Sequence, residues 1–170
     1  MRCSVFTIVL SLLLLGLCSC RDVPKDKYVE LSGRVFIFNY RIATATYVVT
    51  LHKLQPLPAN AVAVAVFDNP AGGDKLIVTQ KIWPQLDKIT LESEPLNCVV
   101  KDMPYAFIVT IKDEKGKIIQ EFKSSITSTL DQTILPDKPL VIGHLYTPNP
   151  ELTGHPDGKV PGFVKPVCSH

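Results

Sequence analysis

Ala61-Val62-Ala63-Val64-Ala65-Val66-Phe67 is the stretch on which the fold turns. Every residue in it is apolar, yet the bulk alternates. In an extended chain Val62, Val64 and Val66 face one way and Ala61, Ala63 and Ala65 the other. The pattern predicts a central strand covered on both faces, one face bulky and one flat. Alternation continues outward from it. Tyr105, Phe107, Val109 and Ile111 line one face of a later strand, and Gly116 permits the tight turn that returns the chain as Ile118, Gln120 and Phe122.

Almost every apolar stretch after the leader alternates in this way and is rich in Val, Ile, Thr, Tyr and Phe, side chains suited to a pleated, half-buried surface. Strands are expected over 28–38, 44–52, 61–67, 75–82, 88–92, 97–100, 105–112, 117–124 and 139–142. Between them lie turn signals such as Leu57-Pro58-Ala59-Asn60, Asp68-Asn69-Pro70, Gly72-Gly73-Asp74 and Asp113-Glu114-Lys115-Gly116. Short strands at this spacing predict an all-β chain: a two-sheet antiparallel β-sandwich of immunoglobulin-like or transthyretin-like architecture. The sandwich is expected over 21–146. Beyond it Pro148, Pro150, Pro156, Pro161 and Pro166, interleaved with Gly154, Gly158 and Gly162, predict an irregular wrapping tail over 147–170.

Residues 1–20 read as a leader. Arg2 supplies the positive end, Val5 to Leu17 the apolar segment, and Cys18-Ser19-Cys20 the small residues of a cleavage site. The segment is too short and wrongly flanked for a stable transmembrane span. Leu17-Cys18-Ser19-Cys20 also resembles a bacterial lipobox, which would make Cys20 the lipidated first residue of the mature chain. A cut after Cys20 would instead release a protein beginning at Arg21. Both readings place the protein outside the cytoplasm, as a secreted protein or, with a lipid on Cys20, as an outer-membrane lipoprotein.

Of the five cysteines, Cys3, Cys18 and Cys20 belong to the leader or its edge. Cys98 and Cys168 remain, and in an oxidising compartment they are expected to form a disulfide. Such a bridge closes a loop of about 70 residues, worth roughly 4 kcal/mol of chain entropy. Cys168 with His155 and His170 lacks the spacing of a zinc site, so no metal is expected. The net charge of +2 is spread along the chain without a basic run, which argues against a nucleic-acid partner.

Catalytic chemistry finds no purchase. No Gly-x-Ser-x-Gly turn presents a nucleophile, and of His52, His144, His155 and His170 only His52 falls within an expected strand. Glu92 with Glu94, and Asp113 with Glu114, read as solvated charges at strand ends and turns, and Gly72-Gly73 leads into no phosphate-binding helix. Neither an enzymatic site nor a cofactor is expected. Asp102-Met103-Pro104-Tyr105 matches the tyrosine corner of sandwich folds, which makes Tyr105 structural. Trp83, followed by Pro84, is the candidate binding residue, a groove-rim anchor.

The succession of Gly33-Arg34-Val35, Leu57-Pro58-Ala59-Asn60-Ala61, the strand 75–81 ending at Gln80-Lys81, and Tyr105-Ala106 leading to Ile111-Lys112-Asp113 resembles the YscW/YbaY-type lipoprotein family across about residues 31–129. The segment 43–55 and the cysteine-bearing tail lie outside that pattern. The resemblance implies a small β-sandwich without an enzymatic site and, in some members, a pilotin role of escorting an outer-membrane secretin subunit. The functional expectation is an exported, non-enzymatic module that binds another protein. The alternative is a soluble secreted carrier of a small apolar ligand. For the protein partner a groove is favoured over strand addition, because Lys112, Lys115, Lys117 and Lys123 fringe the 105–124 hairpin and discourage edge pairing.

Overall fold

A computed structural model describes residues 26–164 and Cys168. The expected leader, with Cys20, lies outside the described residues. Seven strands form the body: β1 (Val29–Asn39), β2 (Thr44–Lys53), β3 (Val62–Phe67), β4 (Leu76–Lys81), β5 (Lys88–Glu92), β6 (Pro104–Lys112) and β7 (Ile118–Thr127). They make two antiparallel sheets, β1-β2-β5 and β4-β3-β6-β7, packed as a β-sandwich. Lettered A, B, C, C′, E, F and G in chain order, the sheets read A-B-E and C′-C-F-G, an immunoglobulin-like arrangement.

The core forms where alternate residues of both sheets meet. Tyr47, Val49 and Leu51 of β2 and Ile89 and Leu91 of β5 face Tyr105, Phe107, Val109 and Ile111 of β6 across the interior. At one end six aromatic contacts join Phe36, Phe38, Tyr47, Phe67, Tyr105 and Phe107, with Tyr47 stacked on Phe67 at 4.9 Å. β3 is central, as its sequence predicts, but its faces differ from expectation. Ala61, Ala63 and Ala65 are fully buried, whereas Val62, Val64 and Val66 are only half-buried on the outer face. Sheets pack about 10 Å apart. Aromatic rings already occupy that gap, so β3, which borders it within its own sheet, turns its alanine methyl groups inward and its valines out.

Three further expectations are corrected. The segment 97–100 is not a strand. Cys98 has a φ of +66°, outside the extended region, and the neighbouring backbone is bound by a side chain instead. Gln132 Oε1 accepts from Val99 N–H at 2.9 Å, and Gln132 Nε2 donates to the Leu96 carbonyl at 2.7 Å. On β7, Ile118 is 53% exposed rather than sharing a face with Gln120 and Phe122, because the register shifts between Ile111 and Lys112. The 147 boundary also cuts a small hairpin, since β8 (Val141–Ile142) pairs with β9 (Thr147–Pro148). The prolines after it accommodate a 3-10 turn, Pro150–Leu152, by placing Pro150 in the first turn, where an N–H is not needed; Asn149 Oδ1 caps it through Glu151 N–H.

The tail is held at several points. Cys98 and Cys168 form a disulfide with their Cα atoms 5.5 Å apart. Asp137 and Lys138 N–H donate to the Gly158 carbonyl at 2.9 and 3.4 Å, and Lys159 Nζ donates to the carbonyls of Thr133 and Leu135. At the start of β6 the Val100 N–H donates to Tyr105 Oη at 2.9 Å, which is the tyrosine corner.

Candidate functional site

A sandwich has two seams where edge strands of opposite sheets come together, and here they differ. At the β1/β7 seam, Tyr28 and Val29 N–H donate to Gln120 Oε1 at 2.8 and 3.0 Å, and Gln120 Nε2 donates to the Val29 carbonyl at 2.8 Å. Arg34 Nη1 adds a hydrogen bond to Ser124 Oγ at 2.9 Å. Side chains thus stitch that seam shut.

The β4/β5 seam holds a groove of about 410 Å³. Val78 and Gln80 supply its β4 wall, Lys88, Ile89, Thr90 and Glu92 its β5 wall, and Trp83 and Leu86 come from the connection between the strands. That connection is locally determined. Ile82 N–H bonds to the Ala61 carbonyl and continues the ladder, with its side chain buried. Pro84 then ends the strand pattern, and Leu86 N–H returns to the Trp83 carbonyl at 3.2 Å to close a turn. Lys53 Nζ clamps the turn by donating to the carbonyls of Trp83 and Pro84 at 3.1 and 2.8 Å.

The turn presents its apolar side chains outward. Trp83 is 45% exposed and Leu86 51%. Lys81 Nζ lies 4.9 Å from the centroid of the Trp83 ring, within cation–π range. Lys81 and Lys88 line the groove together with Glu92, which accepts a hydrogen bond from Thr46 Oγ1 at 3.1 Å. Val78, Trp83, Leu86 and Ile89 give the slot an apolar surface, and two lysines against one glutamate leave its charged lining net positive. It can hold an apolar side chain and attract carboxylates.

The other candidates lie apart. Cys20 falls outside the described residues, and Cys98 and Cys168 line a different cavity. Asp113 holds the β6–β7 turn, its Oδ1 accepting from Lys115 and Lys117 N–H at 2.9 Å each. His52 is half-buried on β2. Among the described residues no group of three His, Cys, Asp or Glu side chains is placed to hold a metal ion. The seam residue Gln120 escaped the sequence reading as a bonding group, although a glutamine on the same inward face as Phe122 and Ile126 was its signal. Gln132 left no such signal. No protein-family model matches this chain, and no curated protein matches it.

Proposed function

We propose that this protein is an exported, non-enzymatic binding module that captures an acidic, amphipathic segment of another protein in the β4/β5 groove. The observation that carries the reading is the contrast between the seams: one is closed by Gln120, the other keeps Trp83 half-exposed above a slot rimmed by lysines. Apolar anchors in pockets with a charged rim are a common design of protein interfaces, the anchor giving affinity and the rim giving register and rate. The leader reading belongs to the same proposal: a lipid on Cys20 would tether the module to the outer membrane, and a cut after Cys20 would release it. The resemblance to YscW/YbaY-type lipoproteins supports an escort or assembly role of the pilotin kind.

Trp83 is the only tryptophan in the chain, so its fluorescence reports on the groove alone. Titration with a synthetic peptide alternating Leu and Glu should shift and saturate that emission, and the same peptide with Lys in place of Glu should not. Added salt should weaken the response. Trp83→Ala should abolish capture, followed by calorimetry, while the far-ultraviolet spectrum stays unchanged. Equal binding of both peptides, or undiminished capture by the alanine variant, would refute the groove.

A further inference from the structure

The two sheets are unequal. Four strands, β4-β3-β6-β7, lie against three, β1-β2-β5. At one margin β7 is bonded to β1 through Gln120, and at the other β4 faces the edge of β5 across the groove. Leu76, Val78 and Gln80 share the inward face of β4, because they pair with the inward residues Phe67, Ala65 and Ala63 of β3. Those β3 residues are fully buried, yet their β4 neighbours are only half-buried. The inner face of β4 thus has less of the opposing sheet over it.

The edge of β5 is directed into the same gap. Ser93 N–H donates to the Tyr47 carbonyl at 3.0 Å, and Lys53 N–H donates to the Asp87 carbonyl at 2.9 Å. Both pairs continue the β2/β5 register, in which Leu91 lies opposite Val49 and Ile89 opposite Leu51. Antiparallel ladders alternate, so Asp87, Ile89, Leu91 and Ser93 turn their backbone groups towards β2, whereas Lys88, Thr90 and Glu92 turn theirs away from it. Among the described residues β5 pairs with no strand but β2. The N–H and C=O groups of Lys88, Thr90 and Glu92 therefore form an open edge beside the half-covered strip of β4.

An open edge next to an apolar strip has the form of one further strand position. We infer that the groove takes its partner as a β-strand: an extended segment of another protein, alternating apolar and acidic residues, pairs with the β5 edge and becomes the fourth strand of the β1-β2-β5 sheet. The inference rests on the protein-binding reading of the groove and specifies how the segment lies in it. Apolar side chains of one parity point inward onto Val78 and Trp83. The other parity stands on the outer face beside Lys88, Thr90 and Glu92, since Ile89 and Leu91 are the buried residues of β5. Lys81 and Lys88 against Glu92 leave the lining net positive, which selects an acidic segment.

The test uses the full chain with its disulfide intact and the alternating Leu/Glu peptide, together with two N-methylated forms, one modified at the central glutamate amides and one at the central leucine amides. In a strand the amides of one parity face the neighbouring strand and those of the other face away. Only one methylated form should therefore lose affinity, by about tenfold or more, while the other stays within about twofold of the unmodified peptide. Loss at the glutamates marks an antiparallel strand, and loss at the leucines a parallel one. Bound peptide should also slow hydrogen exchange at the Lys88, Thr90 and Glu92 amides. Thr90→Pro removes an outward N–H without touching the β2 ladder and should abolish binding with an unchanged far-ultraviolet spectrum; the methylated peptides on the parent protein decide the matter if this variant fails to fold. Equal affinity of all three peptides, or equal loss in both methylated forms, overturns the strand and leaves the groove reading standing. No response to the unmodified peptide sinks both. Slow exchange of the three amides before peptide is added would mean that this chain or a second copy already covers the edge, and it too overturns the inference.

Discussion

Gln120 and Val29, 91 residues apart in sequence, exchange two hydrogen bonds: Val29 N–H donates to Gln120 Oε1 at 3.0 Å, and Gln120 Nε2 donates to the Val29 carbonyl at 2.8 Å. A side-chain amide here takes the place of a neighbouring strand at the start of β1, and it joins the two sheets along one seam. Gln120→Leu removes the acceptor for both Tyr28 and Val29 N–H and should cost about 1–3 kcal/mol in urea titrations. Gln120→Glu keeps an acceptor but loses the donor and should fall between. A leucine variant as stable as the parent would mean that solvent satisfies these groups without loss.

Tyr105 is 4% exposed and packs edge-on against Phe36 and Tyr47, while its hydroxyl accepts the Val100 amide. Tyr105→Phe preserves the ring packing and deletes only that acceptor. The expected loss is about 1–2 kcal/mol with the fold retained. Hydrogen exchange at the Val100 amide should accelerate more than exchange at the β3 and β6 amides. Uniform acceleration across the domain would assign the hydroxyl a different role.

The strands were legible because period-two alternation survives in the primary structure, and the β6–β7 hairpin declared itself through Gly116. Alternation gives parity, however, and not depth. Nothing local to Ala61–Phe67 says that Tyr47 and Phe67 will fill the gap between the sheets and send the bulkier valines outward. Val99-Val100 reads as strand, but the left-handed Cys98 and the reach of Gln132 across the intervening chain decide otherwise. Trp83 could be singled out as the lone tryptophan before a proline. Its position at an open seam depends on which edge strands meet, a property of the assembled sheets.

Asp68 supplies a pH signature. Partial burial works against its charged form, but the Lys75 ammonium and the Ala106 N–H outweigh this and hold the carboxyl below its ordinary value of 3.8. A carboxyl depressed in the folded state contributes stability above its unfolded pKa and loses that contribution as pH falls through the folded value. The parent should therefore exceed Asp68→Asn in stability at pH 7, and the gap should narrow as pH drops below about 4. A gap constant from pH 7 to pH 2 would place the effect in packing. The carboxylate also fastens the start of β6 to the end of β3, so the narrowing should accompany faster exchange at Ala106 N–H.

The disulfide separates the tail from the body. The sandwich buries its own core, whereas the chain from about residue 136 onward relies on the bridge, the Gly158 carbonyl and the Lys159 contacts. Reduction should lower the melting temperature, since a loop of 70 residues is released in the unfolded state. The domain should nonetheless remain folded at 25 °C. Exchange of amides between 137 and 160 should rise first, with those of β3 and β6 still protected. Loss of all protection on reduction would show that the bridge holds the sandwich itself.

Two glycines at similar backbone angles offer a controlled comparison. Gly116 has φ +81° with open space around a would-be Cβ, whereas Gly158 has φ +71° and a Cβ there would meet Pro136 Cβ at 2.5 Å and Leu140 Cδ2 at 2.7 Å. Both alanine substitutions incur the cost of a left-handed residue, about 1 kcal/mol. Only Gly158→Ala also drives a methyl group into the 136–140 segment, whose Asp137 and Lys138 amides bond to the Gly158 carbonyl. Gly158→Ala should therefore undock the tail, seen as new proteolytic cleavage between 149 and 164. Gly116→Ala should leave the tail protected and destabilise only the β6–β7 hairpin. Equal susceptibility of the two variants would mean that the backbone angle alone sets the cost and that the packing around Gly158 yields freely.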